Sequence, residues 1–210
     1  FMNVFLTTLG TSWAVIPELL HWLDDRQCNF YYQHPEYSQL QRQATQAGLA
    51  PVDEVWIITT AGTKMQELAS WLSKWNSNVV LRTFIFPSED LGSSQELREF
   101  REWVFIISAH ARQQSRKGKF WVSLAGGRKT MSADIQAAAT FFGCDAVLHV
   151  LDRGQKGDQR LPEHFSAFLE PLPAEQIKRI LPVIVEEQLP ANAMASDLKP
   201  PPLKSLHSQG

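Results

Sequence analysis

The chain has 210 residues, 44% of them hydrophobic, and a formal net charge of −2, enough for one sizeable core with a small appendage. So even a charge balance argues against a general nucleic-acid coat, which needs a broad basic surface. The sequence has neither the apolar run of about 18 residues that crosses a bilayer nor the basic start and small-residue cleavage site of a secretion signal, so the expectation is a soluble, cytoplasmic protein without membrane or general DNA partners.

Five short β-branched or aromatic runs recur in chain order: MNVFLTT (2–8), EVWIITT (54–60), VVLRTFIF (79–86), FWVSLA (120–125) and AVLHVL (146–151). Each is short and continuously apolar, the pattern of a strand buried on both faces. Helix-length segments with a period near 3.6 lie between them. Their apolar stripes are Ile16, Leu19, Leu20 and Leu23; Met65, Leu68, Ala69 and Leu72; Leu97, Phe100, Val104 and Ile107; and Met131, Ile135, Ala138 and Phe142. Thr63 with Gln66 and Ser93 with Glu96 have capping-box spacing, and Pro17 suits a first helical turn. Residues 25–52 read as a loop and a polar helix inserted in the first crossover. Strands alternating with helices predict an α/β fold, a doubly wound, mainly parallel sheet with helices on both faces, over residues 2–152. Residues 153–189 read as a loop followed by a short amphipathic helix broken near Pro182. Residues 190–210, with three consecutive prolines and no aromatic residue, read as a disordered tail or linker.

In such sheets ligands bind beyond the carboxyl ends of the strands, where strand order reverses. The polar residues concentrate at these ends: TLGTSW (8–13) after the first strand, TTAGT (59–63) after the second and SLAGGRKTMS (123–132) after the fourth. Glycines let a backbone approach a phosphate, and a helix start presents free N–H groups. Arg128 and Lys129 add fixed charge. The junction therefore reads either as a site for an anion, one phosphate or several, held where the first and fourth strands adjoin, or as a plain Gly-Gly turn with Arg128 and Lys129 as a solvated pair. Walker A is excluded because Arg128 stands where that motif has the glycine before its lysine, and no GxGxxG follows a strand. Cys28 and Cys144 lack CxxC spacing and no histidine pair has ligand spacing with a carboxylate, so no zinc site, other metal or cofactor is expected.

Several residues admit two readings. Trp13 either stacks on a base or belongs to the core. Thr63, Thr130 and Ser132 either touch a ligand or cap their helices, and Thr11 and Thr60 are candidates for phosphate contact. His149 reads as a hydrogen-bonded core histidine rather than a base. Arg112, Arg116, Lys117 and Lys119 read as a solvated face at a helix C-terminus.

The segments LTTLGTSWAVIPELL, DEVWIITTAGT and VSLAGGRKTMSADIQAAATFFG, in this order and separation, closely resemble the CARF domains of type III CRISPR systems, over roughly residues 3–151. The resemblance implies a Rossmann-like homodimer that binds a cyclic oligoadenylate across its two-fold axis. Cyclic tetra-adenylate is the expected ligand and cyclic hexa-adenylate the alternative. Most such domains drive a fused effector, commonly a ribonuclease with an R-x4-6-H motif. Here Arg101 and His110 are too far apart for that motif, and Arg160 and His164 too close. A domain without an effector is expected to be a ring nuclease that cleaves the bound ring without metal. The non-catalytic sensor, acting on a fused or partner effector, is the other reading, and a chain cut from a longer protein would look the same. The resemblance assigns catalysis to Ser12 and Lys129. It leaves Gly10, Thr11, Trp13, Thr60, Gly126, Gly127, Arg128 and Thr130 as ligand-binding residues, with Arg128 alternatively directed into the fold or a partner.

Overall fold

The computed structural model describes residues 1–10, 13–26, 28–61 and 64–189. The five predicted runs form β1 (Val4–Leu9), β2 (Glu54–Thr60), β3 (Val80–Phe86), β4 (Phe120–Ser123) and β5 (Cys144–Asp152). A sixth strand, β6 (Ile180–Leu189), completes one sheet of order β3-β2-β1-β4-β5-β6. The first five run parallel and β6 pairs antiparallel with β5.

The helices are α1 (Val15–Leu23), α2 (Tyr37–Gln46), α3 (Met65–Trp75), α4 (Ser94–Gln114), α5 (Lys129–Phe142) and the single-turn α6 (Ala174–Ile177), with a short 3-10 helix at Phe165–Leu169. The pleat sorts the central strands between two cores. Phe5, Leu9, Val55, Ile57 and Trp121 pack with α1, α3 and the 3-10 helix. Val4, Leu6, Trp56, Ile58, Phe120 and Val122 pack with α4 and α5 on the other face. Because β1, β2 and β4 are buried along their whole length, they read as continuous apolar runs rather than alternating ones.

The main difference from the sequence reading lies near the C-terminus. The helix expected across PAEQIKRILPVIVEEQL is one turn, α6, followed by the ten-residue strand β6. Pro182 does not break a helix; it stands opposite Val150 in the last strand of the sheet, where a missing N–H costs least. Two helix starts behave differently from each other. Ser93 and Glu96 form the expected capping box on α4, whereas Thr63 lies outside the described residues.

Candidate anion site at the switch between β1 and β4

From β1 the chain steps outward to β2 and β3, then returns to β4 on the other side. The strand order therefore reverses between β1 and β4, with α1 leaving toward one face and α5 toward the other. This is the crevice where an open α/β sheet binds ligands.

Two loops meet there. The Gly10 N–H donates to the Gly126 carbonyl at 2.5 Å. A Cβ on Gly126 would lie 1.9 Å from the Thr8 carbonyl oxygen, and one on Gly127 would lie 2.3 Å from Thr8 Oγ1. The glycine pair is thus required by close packing against the end of β1, a constraint separate from any approach to a ligand. Thr8 Oγ1 is buried there without a hydrogen-bond partner among the described residues. Ser132 Oγ donates to the Leu124 carbonyl at 2.9 Å and Ser123 Oγ accepts from Ala125 N–H at 3.1 Å. Ser132 therefore staples the loop to α5 rather than capping the helix.

The start of α5 carries Arg128 as N-cap and Lys129 as first residue, with no acid in its first turn. Among the described residues its one side-chain acceptor is the Met131 sulfur, which takes the Arg128 N–H at 3.4 Å and is a weak acceptor. Among the described residues no side chain accepts from the N–H groups of Lys129, Thr130 or Met131. Lys129 and Thr130 are exposed, and Lys129 forms no ion pair among the described residues. Arg128 turns away toward the loop after β3. Its guanidinium donates to the Asp90 carbonyl, to the Glu89 carbonyl at 3.2 Å and to Asp90 Oδ1 at 2.7 Å. That pair is exposed and so exchangeable for a stronger anion.

Of the sequence candidates, the structure brings Gly10, Gly126, Gly127, Arg128, Lys129 and Thr130 to this one rim. Thr60 is buried at the end of β2. Thr11 and Ser12 lie outside the described residues. Trp13 points elsewhere: its ring packs 4.1 Å from Phe165 and 5.5 Å from Phe168, at the edge of the core.

Trp13 also lines a cleft of about 480 Å³ beside the start of α1, with Glu18, Lys64, Asp152, Leu161 and Pro162 among its walls. Glu18 was not anticipated from the sequence. It is 3% exposed, and burial, with Asp152 as a second cause, pushes its carboxyl up to about 8. A signal existed: VIPELLHWL is apolar almost all round, and every position from Ile16 to Leu23 is buried, the mark of a helix enclosed on all sides.

The histidines correct one reading. His149 is half-buried on β5 with Nδ1 unpartnered among the described residues, and burial lowers its pKa. His21, by contrast, is a hydrogen-bonded core histidine. Its Nε2 lies 2.7 Å from the Phe168 carbonyl and its Nδ1 accepts from Trp75 Nε1 at 3.2 Å. Burial lowers its pKa to about 4, so it is neutral, with the proton on Nε2. Arg112 and Lys119, read as solvated, both pair with Asp145, at 3.4 and 3.0 Å.

Residues 38–197 match a family described as CRISPR-associated protein NE0113. The chain belongs to this family. No curated protein matches it. Among solved structures, the NE0113-family chain is similar in fold to Enterococcus italicus Csm6 bound to cyclic hexa-2'-fluoro-hexa-dAMP, with a TM-score of 0.50 and 9% identity. The match covers 87% of this chain and 42% of the Csm6 chain, so the chain spans less than half of that protein's length. Among the described residues no helix is long and apolar enough to cross a membrane.

Proposed function

We propose that this chain is a CARF-type domain that binds a cyclic oligoadenylate at the β1/β4 rim, and that it cleaves the ring. The observation that carries the reading is the start of α5: main-chain N–H groups without a side-chain acceptor among the described residues, and the exposed Lys129, set against a tightly packed glycine loop at the switch point. A helix start of that kind favours a phosphate. The fold likeness to Csm6, solved with a cyclic oligonucleotide, supports the choice of ligand. A ring of repeated phosphates is best met by duplicated sites, which an isologous homodimer supplies.

The cleavage chemistry needs little. A ribose 2′-oxygen forms a bond to the adjacent phosphorus as its proton passes to solvent. The bond from phosphorus to the 5′-oxygen breaks, that oxygen takes a proton, and a 2′,3′-cyclic phosphate remains. In-line positioning and stabilisation of the charged phosphorane dominate such a step. Lys129, which forms no ion pair among the described residues, is the cation for the second task, and Ser12, two residues after Gly10, supplies a hydroxyl for the first.

A second reading has its own support. The match covers 42% of Csm6, which fits a sensing domain whose effector lies outside the matched region. One experiment separates the two: incubation of the purified protein with labelled cyclic tetra- and hexa-adenylate in EDTA, followed by separation of products. Linear products ending in a 2′,3′-cyclic phosphate are expected. Tight binding with the ring intact would favour the sensor, and absence of binding would remove both readings.

A further inference from the structure

The cleft beside α1 is built around a group that the cleavage scheme leaves unused. Glu18 is almost fully buried, yet it lines the cleft, and its carboxyl takes no hydrogen bond among the described residues. The charged and titratable groups around it come from several elements. Asp152 at the end of β5 is the like charge that acts on it, and Asp152 is itself held by Arg179 at 2.8 Å. Tyr31 donates from below to the Glu18 main-chain carbonyl at 3.0 Å. Neutral His21 lies one turn on along α1, and Lys64 and Glu163 stand at the rim.

Burial therefore keeps a proton on this carboxyl at neutral pH. A carboxylic acid offers one donor and one acceptor side by side. Asp152 is paired with Arg179, and at the rim Glu163 offsets Lys64, so the walls offer a phosphate little net positive charge. Among the described residues no group of three His, Cys, Asp or Glu side chains is placed to hold a metal ion. What fits is a flat, neutral ligand with a donor and an acceptor adjacent on one edge. Trp13, Leu161 and Pro162 supply apolar walls, and the volume of about 480 Å³ falls in the usual range for small-molecule sites. An adenine, with its N6 amino group beside N1, has that edge.

We infer that this cleft takes one adenine base of the bound ring, with Glu18 hydrogen-bonded to the N1–N6 edge and Trp13 forming one wall. Trp13 follows Gly10 by three residues, so the base site stands at most about 11 Å of backbone from the glycine loop that faces the phosphates. The inference rests on the cyclic-oligoadenylate reading above. It assigns Glu18 to recognition, separate from the cleavage machinery.

The test is equilibrium binding of a labelled 2′-deoxy cyclic tetra-adenylate, which lacks the attacking hydroxyl, at pH 7 and pH 9. Wild type is expected to lose roughly tenfold in affinity between these pH values, the scale of one buried hydrogen bond left unmade. Above pH 8 the carboxylate no longer donates to N1 and repels its lone pair. Glu18→Gln keeps a donor beside an acceptor and is expected to bind at both pH values without that loss. A ring carrying 1-deazaadenine, which lacks the N1 acceptor, should bind wild type about tenfold more weakly and cost Glu18→Leu nothing further, the non-additivity that marks a direct contact.

Equal affinity of wild type and Glu18→Leu, or an equal 1-deaza penalty in both, would overturn the base site while leaving ring binding intact. Failure of wild type to bind any ring would instead remove the oligoadenylate reading and this inference with it. Should Glu18→Leu not fold, the 1-deaza ring on wild type and the pH profile of Glu18→Gln decide the matter. An undiminished 1-deaza affinity, or the same pH loss in both proteins, would overturn it.

Discussion

Two helices on the same face of the sheet begin in opposite ways. At the start of α4, Ser93 Oγ accepts from Glu96 N–H at 3.1 Å and Glu96 Oε2 accepts from Ser93 N–H at 3.0 Å, so the helix satisfies its own free amides and places an acid at the positive end of its dipole. At the start of α5 the corresponding places hold Arg128, Lys129 and a methionine sulfur. A cation at a helix N-terminus is unfavourable, and the amides behind it have no side-chain acceptor among the described residues. Local rules that are kept on α4 are broken on α5, and such breaks concentrate at functional sites. The difference teaches where an external anion would complete the structure.

The largest expected effect is at Lys129. Lys129→Ala should lower the single-turnover rate of ring cleavage roughly 10²-fold or more, the scale for losing one preorganised electrostatic donor. Affinity should fall less, because the main-chain N–H groups remain. Thermal stability should hold or rise, since an unfavourable cation has gone. Wild-type rates, measured with enzyme in excess over labelled ring, would show that the exposed lysine is only a solvated charge and would break the contrast at its functional end.

Much of this was legible in the sequence because the signals are local. Five apolar runs and four periodic stripes follow from neighbours a few residues apart, and the GGRKT junction falls between a strand and a helix whichever way the rest packs. The missed features depend on distant partners. Pro182 looks like a helix breaker until β5 supplies the ladder that makes β6 an edge strand. The sequence alone does not choose between base and core for Trp13, because Phe165 and Phe168, which hold its ring, come from far along the chain. Glu18 carries no signal of its own in the sequence, and only Asp152 and the 161–163 segment make it a buried, protonated wall of a cleft. The sequence around Gly126 and Gly127 suggests a ligand, whereas their first constraint is Thr8.

The α4 side of the contrast is checked by Ser93→Ala. Removing the cap frees the Glu96 N–H and should cost about 1 kcal/mol, read as a lowered urea midpoint with unchanged slope. Ring affinity should not change, because α4 needs no outside anion. A loss of affinity comparable to that of Lys129→Ala would mean that the two helix starts are not independent, with the Arg128 contacts to Glu89 and Asp90 as the physical link between them.

The smallest effect is also the sharpest, because it sends stability and binding in opposite directions. Thr130 is exposed in the first turn of α5, so Thr130→Glu adds there the acid that α4 has and α5 lacks. A carboxylate near a helix N-terminus stabilises by about 0.3–1 kcal/mol, and the new side chain also lies close to Arg128 and Lys129. The melting temperature should therefore rise slightly. The same carboxylate occupies the field meant for a phosphate, so affinity for the ring should fall, and more steeply at low salt, where like charges repel over a longer distance. A variant that is less stable yet binds as tightly as wild type would mean that the cationic start of α5 is satisfied from within after all, and that the anion belongs elsewhere on the rim.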